Sequence, residues 1–171
     1  MGQAGQQNEQ LDNIGEYLPN AAKGSASVRT VLQLKPGRDV YTIGPKASVY
    51  DALSLMADRN IGALVVLDGG RVVGIVSERD YARKVILIGK SSRETAVEEI
   101  MGAPAVTVTS RTTVAECLSL MTERYLRHLP VVDDELLVGL VSIGDLVKAL
   151  FADQEERLGR IEAYISGTYP A

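Results

Sequence analysis

Two short elements of the sequence carry residue types that could hold a sugar and a phosphate. Ser77-Glu78-Arg79-Asp80 and Ser142-Ile143-Gly144-Asp145 each follow a glycine and two apolar residues, Gly74-Ile75-Val76 and Gly139-Leu140-Val141. Where a buried strand turns directly into a helix at such a serine, unpaired backbone N–H groups and the positive end of the helix dipole suit a phosphate. The aspartate can accept two hydrogen bonds from neighbouring hydroxyls, as the acidic residue of dinucleotide folds does for ribose. Ser-x-x-Asp is equally a capping box that satisfies the helix's own N–H groups. Ser48-x-x-Asp51 and Thr113-x-x-Glu116 show that pattern where no ligand is expected. One copy alone favours capping, whereas recurrence at the same place behind Gly-apolar-Val-Ser favours binding.

The recurrence is part of a longer one. Residues 39–151 contain the same pattern twice, about 65 residues apart and without gaps. The run from Val49 to Met56 lies over Val114 to Met121, and Val73-Gly74-Ile75-Val76-Ser77 lies over Val138-Gly139-Leu140-Val141-Ser142. Each copy reads as strand, helix, strand, strand, helix. The first strands are Val40 to Ile43 and Ala105 to Val108, followed by polar stretches ending in the N-caps Ser48 and Thr113. Val49, Ala52, Leu53 and Met56 recur at helical spacing, as do Val114, Cys117, Leu118 and Met121, so each helix has one apolar face. A hairpin then turns at Asp68-Gly69-Gly70-Arg71 in one copy and Asp133-Asp134-Glu135 in the other. Closing helices follow Ser77 and Ser142, with Tyr81, Val85 and Ile88, or Leu146, Leu150 and Phe151, expected to face inward.

One such unit is too small to bury both sides of its sheet, so the copies are expected to pack sheet to sheet. The fold class is a mixed α/β (α+β) arrangement of two β-α-β-β-α repeats with pseudo-two-fold symmetry. Boundaries follow: 1–27 a polar, partly flexible segment; 28–90 and 91–152 the two domains; 153–171 a C-terminal helix and tail. Val28, Val31 and Leu32 mirror Val97, Ile100 and Met101 as short lead-in helices, and Leu158, Ile161 and Ile165 form a stripe for packing on the same domain or a dimer partner.

With 171 residues, 46% of them hydrophobic and 23% charged, the chain has the composition of a globular protein. Eighteen Lys+Arg against 22 Asp+Glu give a net charge of -4, the wrong sign for holding nucleic acid by net attraction. Apolar runs such as Ile61–Leu67 and Val85–Ile88 fall well short of the roughly 20 residues that cross a bilayer. No targeting segment is recognisable, and a cytoplasmic location without membrane attachment is expected. Cys117 stands alone and His128 is the single histidine, which leaves no internal disulfide, zinc cluster or Cys-x-x-Cys pair, so no metal is expected. Cys117 is read as a core residue. There is neither a Gly-x4-Gly-Lys-Ser/Thr loop nor a Gly-x-Gly-x-x-Gly turn after a strand, and no catalytic constellation is assembled, so the chain reads as a non-enzyme.

These motifs, with Arg127-His128-Leu129-Pro130-Val131-Val132-Asp133, resemble the cystathionine β-synthase (CBS) domain family in its tandem form, the Bateman module, from Val28 to about Phe151. The chain looks like a stand-alone CBS pair of the bacterial and plant-organellar type. The resemblance implies two clefts between the paired sheets, adenosine-containing ligands and disc-like homodimers. It makes the chain a regulatory, non-catalytic protein that binds an adenine nucleotide, AMP or NAD(H) first, and modulates a partner protein whose identity is open. A constitutive dimeric scaffold with vestigial clefts is the alternative.

Ser77, Arg79 and Asp80, and Ser142, Ile143, Gly144 and Asp145, are the candidate loops for phosphate and ribose. Thr42 and Thr107 align with the strand position at which related domains contact the nucleotide, although β-propensity alone would account for both. Val40, Ile43, Leu64, Val108, Leu129 and Pro130 could sandwich an adenine, and most such residues are simply core. Arg127 and His128 stand where the first repeat has Gly62-Ala63; arginine suits planar phosphate recognition, and a solvated Arg127 with a half-buried His128 is the plainer possibility. The second copy has Gly144 where the first has Arg79, so the two clefts are expected to differ.

Overall fold

The computed structural model describes residues 26–165 apart from 36 and 38, with side chains through residue 155. The polar segment before residue 26 and the stripe of Leu158, Ile161 and Ile165 lie outside the described side chains. The chain opens with α1 (Val28–Leu34). The first repeat then runs β1 (Thr42–Ile43), α2 (Val49–Arg59), β2 (Ala63–Asp68), β3 (Arg71–Ser77) and α3 (Glu78–Lys84), with a 3-10 turn at Ile86–Ile88. After α4 (Val97–Ile100), the second repeat supplies α5 (Val114–Glu123), β4 (His128–Asp133), β5 (Leu136–Ser142) and α6 (Ile143–Ile165).

The expected caps are in place. Ser48 Oγ accepts from Asp51 N at 3.0 Å, and Thr113 Oγ1 accepts from Glu116 N at 3.2 Å while Glu116 Oε2 accepts from Thr113 N at 2.8 Å. One backbone donor at the start of α2 and two at the start of α5 are thereby satisfied, which favours helices beginning at Val49 and Val114. Both hairpins close through two residues of positive φ, Gly69 (55°) and Gly70 (81°) in one, Asp134 (48°) and Glu135 (66°) in the other. That backbone twist matches the right-handed twist of paired strands.

β1 runs parallel to β2, pairing Thr42 with Val65 and Ile43 with Val66, and β2 is antiparallel to β3. The strand expected over 40–43 is therefore shorter, because Val40 and Tyr41 lie outside the ladder and only Tyr41 O reaches Val65 N, at 3.3 Å. Its counterpart over 105–108 reduces to one parallel bridge, Val108 with Val131, beside the antiparallel pair β4 and β5. An edge strand with one neighbour needs only its inward groups paired, and Val108 meets this with bonds to Pro130 O and from Val132 N. The two repeats meet where β3 approaches β5.

The lead-in helices exchange places. Val28 and Val31 of α1 are buried among Val114, Cys117, Met121, Leu129, Val141 and Leu146 of the second repeat. Val97 and Ile100 of α4 are buried among Val49, Ala52, Met56, Leu64, Val76 and Val85 of the first. The backbone repeats the exchange: Val28 N donates to Thr112 O and Val97 N to Ala47 O, both at 2.9 Å. Each core thus takes one helix from across the repeat boundary.

Two inward assignments are corrected. Val85 and Leu146 are buried, but Ile88 and Phe151 are 60% and 64% exposed. α3 stops at Lys84 and the tighter 3-10 turn swings Ile88 off the buried face. On α6 the buried side is Leu146 and Ala149, while Phe151 stands with Ile143 and Val147 at i, i+4, i+8 on the outer side. Cys117 is a core residue as expected, and burial, with Glu116 adding, pushes its thiol up to about 11.

Candidate functional site

The second Ser-x-x-Asp lies where β5 ends and α6 begins. Ser142 closes β5 opposite His128, the first residue of β4. Asp145 Oδ2 accepts from Ser142 N and Ser142 Oγ, both at 2.8 Å, and Asp145 N donates back to Ser142 Oγ at 3.2 Å. The capping function of the motif is therefore realised. Lys35, just past the end of α1, adds a third donor to Oδ2 at 3.0 Å and also donates to Leu140 O at 3.0 Å. Burial raises the pKa of Asp145, yet the Ser142 and Lys35 bonds outweigh it and hold the carboxyl below its usual range. Oδ1 of Asp145 has no protein donor among the described residues.

Asp145 faces a cleft of about 690 Å³ between the repeats. The second repeat contributes Ser110, His128, Asp133, Gly139, Leu140 and Ser142, and α1 contributes Arg29, Leu32, Gln33 and Lys35. The opposite wall is Asp39, Val40 and Tyr41 ahead of β1, and Arg59 to Ala63 at the turn from α2 into β2. Arg59 ends α2 and its guanidinium lies over the Tyr41 ring, 5.0 Å from the centroid. Arg29 donates to Ser110 Oγ at 3.3 Å, and Ser110 N donates to Asp133 Oδ1 at 2.9 Å. Burial, followed by the charges of Lys35 and Arg127, holds His128 below its usual value against the pull of Asp145. A volume of this size, with one aromatic ring, three cations and three carboxylates on its walls, can enclose a polar, anionic small molecule.

The first Ser-x-x-Asp is built alike but used up locally. Asp80 Oδ2 takes Ser77 N at 3.1 Å and Ser77 Oγ at 2.6 Å, while Lys84 Nζ stands 3.1 Å from Oδ1. Neither Ser77, Arg79 nor Asp80 lines the large cleft.

Of the residues singled out from the sequence, Val40, His128, Ser142 and Asp145 line that cleft together. Leu64, Val108, Leu129 and Pro130 are buried, and Thr42 and Ile43 are half-buried on β1. Arg79, Thr107, Arg127, Ile143 and Gly144 are exposed and do not line it. Sequence reasoning missed Arg29, Lys35, Tyr41 and Arg59. The cations of α1 reach the cleft only through its crossing to the second repeat, which no local pattern signals. Arg59 could have been found from its position as the last residue of a helix feeding β2.

Among the described residues no group of three or more His, Cys, Asp or Glu could hold a metal ion. No described helix is long and apolar enough to cross a membrane.

Two αβ repeats, each closed by Ser-x-x-Asp and joined across a shared cleft, define a tandem module. The CBS-domain family model matches residues 28–86 and 97–152, and the chain belongs to that family. It is 45% identical over 127 residues to the mitochondrial CBS domain-containing protein CBSX3 of Arabidopsis thaliana, a match spanning 71% of this chain and 62% of that relative. It is 34% identical over 107 residues to the CBS domain-containing protein YhcV of Bacillus subtilis, covering 63% of this chain and 76% of YhcV. Among solved structures, a CBS-domain protein from Burkholderia ambifaria superposes with a TM-score of 0.72 at 53% identity, over 75% of this chain and 96% of that one. CBS-pair proteins are regulatory.

Proposed function

We propose that the cleft at Asp145 binds an adenosine-containing nucleotide, AMP or NAD(H), and that the ligand adjusts the activity of a partner protein. The observation that carries this reading is the carboxylate of Asp145, fixed on its capping side and open at Oδ1, in a cleft also lined by Arg29, Lys35 and Arg59. Ribose hydroxyls would donate to Asp145, the base would lie towards Val40 and Tyr41, and the phosphate would take the cations. Ligand control would act as a population shift, bounded by the ligand's differential affinity for two arrangements of the protein. The working form in this reading is a cytoplasmic homodimer, pairing through outer surfaces such as the Ile143, Val147, Phe151 side of α6. A second binding position at Ser77 and Asp80 would be weaker, because Lys84 occupies Asp80 Oδ1.

The scaffold alternative draws on one observation: both aspartates already serve as caps. A thermal-shift series separates the two readings. At a hundredfold excess over Kd, one bound nucleotide adds about 2.7 kcal/mol. For a chain of this size that raises Tm by roughly 2–4 °C per kcal/mol. A flat response to AMP, ADP, ATP, NAD and NADH alike would leave the scaffold standing. Light scattering tests the dimer, which a monomeric mass at tens of micromolar would overturn.

A further inference from the structure

Lys35 joins two parts of the chain that are distant in sequence. Its ammonium donates to Leu140 O and Asp145 Oδ2, each at 3.0 Å, and both acceptors belong to the second repeat. The other ion pairs among the described residues, Lys46–Glu98, Lys84–Asp80 and Lys90–Glu99, lie away from the cleft.

Asp145 Oδ2 receives Ser142 N, Ser142 Oγ and Lys35 Nζ. Three donors on one carboxylate oxygen leave no lone pair there, so a ribose can place one hydroxyl on the open Oδ1 but needs a donor to leave Oδ2 for the other. The Ser142 donors are locked by the strand-to-helix junction, whereas Lys35 hangs on a flexible four-carbon stem. Of the three, Lys35 is the one that can leave. A neutral nucleoside that takes its place offers the displaced ammonium nothing in return. A phosphorylated one offers an anion with which a charge-assisted bond can replace the lost ion pair.

We propose that Lys35 is a specificity-determining residue, which selects a phosphorylated ligand over the corresponding nucleoside by exchanging the Asp145 carboxylate for the ligand's phosphate. The proposal rests on the nucleotide reading of the cleft and adds to it a residue and a selection rule.

Calorimetry with AMP and with adenosine tests this on the full chain, at fixed salt because the pair is partly exposed to solvent. The wild type should prefer AMP. In Lys35→Met, adenosine should bind as well or better, since its competitor is gone, while AMP weakens. The AMP-to-adenosine ratio should then fall on the order of tenfold, and Lys35→Arg should restore much of it. If Lys35→Met weakens both ligands by one common factor, Lys35 only braces α1 and the proposal is overturned. Equal affinity of the wild type for AMP and adenosine overturns the selection rule and leaves the nucleotide site intact. Binding of neither ligand to the wild type overturns the nucleotide reading and the rule together.

Discussion

Met101 lays its sulfur against the bare α-carbon of Gly74, so closely that a Cβ on Gly74 would stand 2.6 Å from Sδ. The carbonyl of Gly102 would be 3.0 Å from the same Cβ, and Gly102 is tied to β3 through both of its bonds to Ile75, at 2.8 and 3.1 Å. Room for α4 on the first sheet therefore depends on the missing side chain. Gly74→Ala is expected to destabilise the protein by about 1–3 kcal/mol, the usual cost of overpacking. Urea denaturation measures it, and a change within ±0.5 kcal/mol, the level of a surface substitution, would refute the packing account.

The second repeat has the same contact with a softer neighbour. A Cβ on Gly139 would meet the methyls of Leu32 at 2.7 Å, with no backbone atom as near. Leu32 is half-buried and can turn aside. Gly139→Ala should cost less than Gly74→Ala in the same denaturation series, and because Leu32 and Gly139 both line the cleft, it should also alter AMP binding.

The two hairpins differ where their backbones agree. Gly69-Gly70 adopts positive φ without penalty, while Asp134-Glu135 adopts it with side chains. A left-handed residue with a Cβ costs roughly 1–2 kcal/mol, against which glycine's extra unfolded-state entropy takes back about 0.5–1. Glu135→Gly is therefore expected to stabilise by about 0.5–1 kcal/mol, read as a Tm rise of roughly 1–4 °C. A lower Tm would show that Glu135 makes a compensating interaction.

His128 is the only histidine, so no other imidazole contributes to a stability change in the histidine range. Burial first, then Lys35 and Arg127, depress its folded pKa against the opposing charge of Asp145. The unfolded chain binds this proton more readily than the folded one, so stability must rise with pH across the window between the two values. The contribution is complete above the unfolded value of about 6.5 and is lost as the pH falls below it. Thermal melts from pH 7.5 to 5 should show this loss, and His128→Asn should flatten it. An unchanged slope in that variant would remove His128 as its source.

Ligand chemistry should divide the two aspartates. Asp145→Ala is expected to weaken AMP and adenosine alike by about 1.5–3 kcal/mol, the loss of hydrogen bonds to a charged group. Asp80→Ala should chiefly cost a cap, about 0.5–2 kcal/mol of stability, with a smaller effect on AMP. Calorimetry and melts on both variants decide it, and a larger AMP loss in Asp80→Ala would move the principal site to the first repeat.

The repeat, the apolar faces of α2 and α5, the caps at Ser48 and Thr113 and the two hairpin turns were legible in the sequence, because each is set by residues within a few positions of one another. So was the pairing of Ser142 with Asp145, in its capping geometry. Tertiary structure alone decided that α1 crosses to the second repeat and α4 to the first. An apolar face states that a helix must be buried and does not state against what, and the shared 3.6-residue period of the two repeats gives Val28 and Val97 no local sign of which core is theirs. The crossing brings Lys35 to Asp145, and the packing of the repeats sets Tyr41 and Arg59 opposite them on the far wall of the cleft. It also left Ile88 and Phe151 outside, where a 3-10 turn and a 100° step around α6 moved them off faces that spacing alone had assigned inward.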